Sequence, residues 1–202
     1  MNRSFDYNGT IVAPSNPVKK LKVVKKFLII DSGDRDVIKF PNNGDFVVYL
    51  PRVYENVVLL RLAGAEFPDS TPRAKSTGTV IAATNLYFLV DIEGINKTDE
   101  CSVGADRSGY PDSAFAKIPF GQQVTDHIFY NDHSAPENIG EYRPAIGKLD
   151  RMHIRTRLHS QKSTEDYVYW TTGQYSLTFE IHYLDNVFDE FSQFETRISD
   201  RA

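Results

Sequence analysis

Short apolar runs closed by turn residues constrain the fold of this chain more than any other feature. Examples are DFVVYLP, ENVVLLRLAGAEFP, TNLYFLVDIEG and QYSLTFEIHYL, which are rich in β-branched and aromatic residues and bounded by Gly, Pro or Asn. Such side chains pack well on a pleated surface, so these runs are typical of β-strands. KLDRMHIRTRLH adds strict alternation of polar and apolar residues. The sequence therefore predicts an all-β protein.

The number and spacing of these runs predict the architecture. About eight strands joined by loops of unequal length fit an antiparallel sandwich of two sheets, of which the eight-stranded single jelly roll is one form. We expect the first strand to begin near Val23, and Pro51 and Pro68 each to end a strand.

Three segments are expected along the chain. Residues 1–22 contain prolines, asparagines and lysines without a period, which predicts an extended basic N-terminal arm. Residues 23–184 hold the strand-forming runs and predict the jelly-roll domain. In residues 185–202 apolar side chains recur at three- and four-residue steps, which predicts a short C-terminal amphipathic helix or tail.

The composition favours a packed domain over a disulfide-stabilised or membrane protein. Hydrophobic residues make up 41% of the 202, and the net charge of −4 indicates no particular partner. The single Cys101 excludes an intrachain disulfide. The sequence shows no run of the ~18 apolar residues that a membrane span needs, so we expect a soluble chain made inside a cell.

The chain lacks the common motifs of catalysis. It has no Gly-x-Ser-x-Gly, no His-x-His pair and no phosphate loop. DHIFYNDH places His127 and His133 beside two aspartates, which could be drawn as a facial triad for a metal, but we favour a surface or subunit contact. We therefore expect no enzyme activity, no metal and no cofactor.

Four motifs in a fixed order carry a resemblance to a known family. They are Asp-Ser-x-Asp-Arg at residues 31–35, Leu50-Pro51 after a Pro-Asn turn, Ala-Glu-x-Pro at 65–68 and Gly-Lys-Leu-Asp at 147–150. Over roughly residues 24–184 the series resembles the single jelly-roll capsid proteins of large nucleocytoplasmic double-stranded DNA viruses. It most resembles the chlorella-virus-like penton proteins that close the five-fold vertices.

The resemblance implies a structural role in the virion. It implies a homopentamer at the capsid vertex, beside major and minor capsid proteins, assembled in the cytoplasm of an infected host cell. We expect no specific nucleic acid, because no stacking aromatic residues interleave the basic residues of RMHIRTRLH. The family also includes minor capsid proteins beneath the shell, so that position stays open. A carbohydrate-binding module on the same sandwich is the other alternative.

The resemblance also decides how we interpret DSGDRD, residues 31–36. Three aspartates in six positions could form a metal loop, but the EF-hand spacing is absent and the twelfth position is Asn42. In a jelly roll this stretch is a corner between strands. Asp31 and Asp34 can then accept backbone N–H groups, Gly33 can supply a positive φ, and Arg35 can pair with the carboxylates.

Two strands supply candidates for subunit contacts. ENVVLLRLAGAEF is apolar on both faces, and we expect the face of Val57, Leu59 and Arg61 to meet a neighbouring subunit unless another segment covers it. RMHIRTRLH carries a basic stripe that we expect to face outward. The stripe either pairs with Asp91 and Glu93 of an adjacent strand or binds acidic residues of another subunit. Its members are Arg151, His153, Arg155, Arg157 and His159.

A lysine cluster and an aromatic loop complete the candidates. We expect the lysines to direct the arm inward, onto an acidic minor capsid protein or the inner viral membrane surface; alternatively, they protect an edge strand from unwanted pairing. The aromatic loop at Tyr167, Tyr169 and Trp170 could stack on a glycan or contact a subunit, or pack on its own sheet. The clustered lysines are Lys19, Lys20, Lys22, Lys25 and Lys26.

Overall fold

The computed structural model describes residues 4–5, 11–12, 21–68, 73–74, 79–80, 87–96, 114–120, 123–124, 127–131, 138–158, 167–170 and 173–186. These residues form strands joined by turns, with one 3₁₀ turn at Ser32–Asp34 and no α-helix in the described ranges. The strands are β1 (Ser4–Phe5), β2 (Ile11–Val12), β3 (Leu21–Asp31), β4 (Asp45–Phe67), β5 (Arg73–Ala74), β6 (Thr79–Val80), β7 (Tyr87–Ile92), β8 (Ala116–Pro119), β9 (Gln123–Val124), β10 (His127–Asn131), β11 (Ile139–Leu158), β12 (Val168–Tyr169) and β13 (Ser176–Asn186).

Eight of the strands form one curled antiparallel sheet. Its order is β3-β13-β4-β11-β7-β8, with β10 pairing the end of β4 and β9 pairing β10. This arrangement is consistent with a β-sandwich or jelly roll and confirms the all-β prediction. Strands β12, β5 and β6 form a separate three-stranded sheet.

The chain divides into two compact units. One comprises Val24–Tyr183, and the other comprises Met1–Val23 together with Leu184–Ala202. In the second unit β1 and β2 pair through two residues each, so part of the predicted extended arm forms a short antiparallel ladder. Asp185 and Asn186 end β13 as a strand, and the predicted helix beyond them lies outside the described residues. No helix in the described ranges is long and apolar enough to cross a membrane.

Strand β4 runs through Pro51, where the sequence predicted an end. The residues of β4 that pair with β11 on either side of this proline are Tyr49 and Tyr54, and the register shifts between their partners Arg151 and Leu149. A proline lacks the N–H that a regular ladder needs, and an irregular site tolerates that loss. The prediction of two strands ending at Pro51 and Pro68 was therefore wrong at the first proline.

A second irregularity in β4 changes which face is buried. Asn56 has a φ of 52°, and the pairing of β4 with β13 shifts register between Val57 and Leu59. Val57 and Leu60 are both fully buried as a result, although they would point to opposite faces of a regular strand.

The core contains a compact group of aromatic rings. Phe67 lies at its centre, with ring centroids 4.8 Å from Phe88 and 4.5 Å from both Trp170 and Tyr175. All four side chains are at most 2% exposed. These rings join β4, β7 and the segment before β13, so they tie together parts of the chain that are far apart in sequence.

Candidate interaction surface

The DSGDRD stretch is a corner between β3 and β4, as predicted. Asp31 Oδ1 accepts a hydrogen bond from the Gly33 N–H at 2.7 Å. The other aspartate that caps the backbone is Asp36, whose Oδ1 accepts from Ile38 and Lys39 at 3.1 and 3.2 Å, whereas Asp34 was predicted for this role. Gly33 has no positive φ; among the described glycines that conformation belongs to Gly94.

Arg35 fixes the path of the corner from inside. It is only 8% exposed, and its guanidinium donates to the carbonyl oxygens of Ser32 at 2.6 Å and Phe40 at 2.9 Å. It also donates to Gln174 Oε1 at 2.6 Å. Among the described residues none of its partners is a carboxylate, so the predicted pairing with the corner aspartates was wrong.

The next turn anchors the aromatic loop to the corner. The Asn43 side chain donates to the carbonyls of Trp170 and Gly173 and accepts from the Trp170 N–H, all within 2.9 Å. A Cβ on Gly44 would lie 1.6 Å from the Val168 carbonyl oxygen, so only glycine fits there. The Pro-Asn motif thus has a structural role that the sequence alone did not indicate.

Large apolar side chains are exposed around this corner. Ile38 is 97% exposed at the tip of the corner, Ile29 on β3 is 72% exposed, and Tyr49 on β4 is 71% exposed. Ile29 and Tyr49 line a cleft of about 990 Å³ that is also lined by the corner itself. These exposed side chains provide apolar surface area that another molecule could bury.

We define the corner surface as the exposed apolar side chains of β3, the corner and the first half of β4, within residues 27–53. A signal for it existed in the sequence, because the run FLII of β3 is apolar on both faces. Leu28 and Ile30 occupy the core, which leaves their neighbours outside. The members of the corner surface are Phe27, Ile29, Val37, Ile38, Tyr49 and Val53.

The basic stripe of β11 mostly serves the chain's own packing. Arg157 is 5% exposed, and its Nε lies 2.5 Å from Asp91 Oδ2 in a buried ion pair. Arg155 donates to the Tyr167 hydroxyl at 3.3 Å. The prediction that Asp91 and Glu93 pair with residues of the stripe is confirmed. The prediction that Arg157 faces outward was wrong.

The remaining members of the stripe differ in environment. Arg151 is exposed and lines the cleft together with His153 and Glu93. His153 hydrogen-bonds two carboxylates, Asp45 and Glu93. The hydrogen bond with Asp45 raises the pKa of His153, burial opposes this effect, and the bond with Glu93 adds to it. His159 lies outside the described residues.

The lysines that the structure describes lie in strand β3 rather than before it. Among the described strands β3 is at the edge of the sheet, and Lys22, Lys25 and Lys26 are all exposed on it. Lys25 Nζ lies 2.7 Å from a Glu180 carboxylate oxygen on β13. This placement fits the alternative in which lysines protect an edge strand. Lys19 and Lys20 lie outside the described residues.

The other predicted contact residues divide into buried and half-buried groups. Val57 is fully buried in the chain's own core, so its side chain cannot meet a neighbouring subunit. Leu59 and Arg61 are half-buried in β4. Trp170 is 1% exposed within the aromatic core, so its face cannot stack on a sugar, whereas Tyr167 and Tyr169 are half-buried.

No group of three or more His, Cys, Asp or Glu side chains within the described ranges could hold a metal ion. His127 stacks on Phe129, and the rest of the predicted facial triad lies outside those ranges. No protein-family model and no curated protein matches the chain.

Proposed function

We propose that this chain is a structural capsid protein, a single jelly roll of two four-stranded sheets that forms the pentameric vertex of a large icosahedral DNA virus. The proposal has no catalytic step and no cofactor. The order of the motifs between residues 31 and 150 supports the capsid family. The curled antiparallel sheet is compatible with the jelly roll that the family would use.

The observation that carries the proposal is the corner surface. Among the described residues of the Val24–Tyr183 unit, seven large apolar side chains are exposed, and six of them belong to this surface. The seventh is Phe129 on β10. Monomeric proteins seldom concentrate exposed apolar groups in this way unless the region binds a partner. We infer that a neighbouring subunit covers the corner surface.

The rigidity of the corner strengthens this inference. The guanidinium of Arg35 and the carboxylate of Asp36 bond to the backbone on both sides of Val37 and Ile38. A surface whose backbone is fixed before binding loses less conformational freedom when it associates. Copies arranged head to tail around an axis would form a ring that closes on itself.

The first test is the oligomeric state of the purified chain at micromolar concentration. Light scattering during gel filtration should give a mass about five times the 23.0 kDa of one chain. The double variant Ile29→Lys with Tyr49→Lys should remain folded but lose the ring. Anchors of this kind each contribute about 2 kcal/mol or more to an interface, and a charge in their place would be desolvated without a partner.

Phe129→Lys is the matched control. It also replaces an exposed aromatic residue with lysine, but on β10 outside the corner surface, and the ring should persist. Leu59→Glu tests the second predicted contact face in the same way. A wild-type chain that stays monomeric and is retained on a glycan column would contradict assembly and favour a carbohydrate-binding module.

Vertex position is tested separately from assembly. Electron microscopy of particles that contain the tagged chain should show it at the five-fold vertices, and density beneath the shell would assign it as a minor capsid protein instead. Deletion of residues 2–18 together with neutralisation of the lysine cluster should reduce incorporation if the arm docks inward. Unchanged incorporation would leave the lysines with edge protection alone.

A further inference from the structure

One histidine of the cleft is held by two carboxylates at once. His153 Nε2 lies 2.7 Å from Asp45 Oδ1, and His153 Nδ1 hydrogen-bonds Glu93 Oε2. The three residues come from different elements: Asp45 opens β4, His153 lies in β11, and Glu93 directly follows β7. The imidazole therefore connects three neighbouring strands of the sheet at one wall of the cleft.

The number of available protons determines when both bonds can exist. An ionised carboxylate only accepts hydrogen bonds, and a neutral imidazole has one N–H and one lone pair. Neutral His153 can therefore satisfy one carboxylate, while its other nitrogen would place a lone pair against the second. The imidazolium donates from both nitrogens and satisfies Asp45 and Glu93 together.

We propose that His153 is a proton-operated clamp, which as an imidazolium joins β4, β7 and β11 and on losing its proton releases Glu93. Glu93 is the partner that leaves because its side chain is 60% exposed, against 34% for Asp45. Water can replace the lost bond more easily at the more exposed carboxylate.

The charges around the imidazole favour the protonated form on balance. Asp45 and Glu93 face it directly, and both raise its pKa. Arg155, two residues along β11, lowers the pKa, and Arg151 on the other side lines the same cleft. From the corner the charged groups lining this cleft are Asp34, Arg35, Asp36 and Lys39.

The direction of the pH effect follows from these contacts. A histidine whose pKa is raised in the folded chain contributes its full stabilisation below its ordinary value of about 6.5. The contribution disappears as the pH rises through the raised value. The clamp is therefore closed in mildly acidic solution and open in mildly alkaline solution.

Opening would alter the corner surface, a consequence that rests on the proposed function. Glu93, Arg151 and His153 line the same cleft as Ile29 and Tyr49. The ring of Phe40, at the end of the corner, also lies against His153, with centroids 6.5 Å apart. Subunit association through this surface should therefore weaken as the clamp opens.

The clamp can be tested on the full-length single chain by nuclear magnetic resonance. Imidazole nitrogen shifts of His153, assigned by their loss in His153→Gln, should show two protonated nitrogens at mildly acidic pH and one at alkaline pH. The titration midpoint should lie above about 6.5. Asp45→Asn and Glu93→Gln should each lower it, because each removes a negative charge from the imidazolium.

Glu93→Gln also shows whether hydrogen bonding or charge attraction alone links His153 to residue 93. An amide can accept from an imidazole N–H or donate to its lone pair, so this variant should keep the side-chain hydrogen bond between residues 93 and 153 at both pH values. The fall in its melting temperature between mildly acidic and alkaline solution should be smaller than in the wild type, because only the contribution of Asp45 remains. A midpoint at or below the ordinary value, or one that neither variant moves, would overturn the proposal.

The assembly consequence has its own readout. Wild-type rings should dissociate more readily at alkaline pH, and Glu93→Gln rings should not. Rings without this difference, from a chain that titrates as expected, would refute the consequence but leave both the clamp and the capsid role. A chain that titrates as expected but never forms rings would refute self-assembly into a ring and leave the clamp.

Discussion

Replacing Arg35 with alanine should destabilise the chain by about 3–5 kcal/mol. Three bonds of 2.6 to 2.9 Å join its buried guanidinium to two backbone carbonyls and one amide oxygen. Hydrogen bonds to charged groups contribute about 1.5–3 kcal/mol each, and bonds from one side chain are not additive. Two independent bonds at the low end give about 3 kcal/mol, and three give nearly 5.

Urea unfolding followed by the fluorescence of Trp170 provides the measurement. Trp170 is the only tryptophan, it is buried, and Asn43 connects it to the turn that follows the corner. With a slope of about 2 kcal/mol per molar urea, the loss corresponds to a midpoint about 2 M lower. Arg35→Lys keeps the charge but not the planar fork, so it should recover only part of the loss.

Asp34→Asn is the control that shows whether Arg35 stabilises the corner through backbone carbonyls or through an ion pair with a carboxylate. Asp34 is exposed and its loss should change the unfolding free energy by no more than about 0.5 kcal/mol. A loss in Asp34→Asn comparable to that in Arg35→Ala would mean that the corner depends on an ion pair. A loss below about 1 kcal/mol in Arg35→Ala would refute the argument that this side chain fixes the corner.

Two further variants test the packing beneath the surface. Gly44→Ala should cost at least the 1–3 kcal/mol typical of overpacking and shift Trp170 emission to the red, because its Cβ would meet the Val168 carbonyl; unchanged unfolding and emission would contradict that close approach. Arg157→Met should cost about 3–5 kcal/mol at neutral pH, because it leaves the buried Asp91 carboxylate without its partner. Burial raises the pKa of Asp91 and Arg157 opposes this, so the deficit should shrink as acid protonates the carboxylate; a pH-independent deficit would refute this assignment.

The corner shows which contacts a local sequence pattern can predict and which it cannot. Three aspartates beside Ser, Gly and Arg predicted a bend, and the backbone bonds to Asp31 and Asp36 are of the predicted kind. Two of the partners of Arg35 are backbone carbonyls only three and five residues away. The third is the side-chain amide oxygen of Gln174, which is 139 residues away in sequence, so no local pattern could predict it.

The alternation of β11 predicted its core face correctly and its outer face only in part. Met152, Ile154 and Leu158 are buried as expected. The outer face was assumed to be open along its whole length, but β7 is buried on both faces, and Arg157 shares that environment with Asp91. Periodicity separates the two faces of a strand, but it does not show whether a second layer covers the outer one.

The exposed apolar side chains of the described residues lie elsewhere than at Val57, where the sequence predicted a contact face. Three runs are apolar on both faces: FLII of β3, the middle of β4, and β7. Strand β7 has a neighbour on each side and is buried on both faces. Val57 of β4 lies in the core, next to the register shift between Val57 and Leu59. Among the described strands β3 lies at the sheet edge, where its outward residues keep their exposure.

Sheet position therefore decides which two-faced strand is left uncovered. The order of strands in a sheet is set by pairings between distant segments, so no local pattern contains it. A bulge can reverse the faces of a strand with a single residue, and the register of β4 against β13 shifts in this way between Val57 and Leu59. The substitutions that test assembly consequently belong at Ile29 and Tyr49, and Leu59 becomes the comparison that measures how much of the interface the middle of β4 contributes.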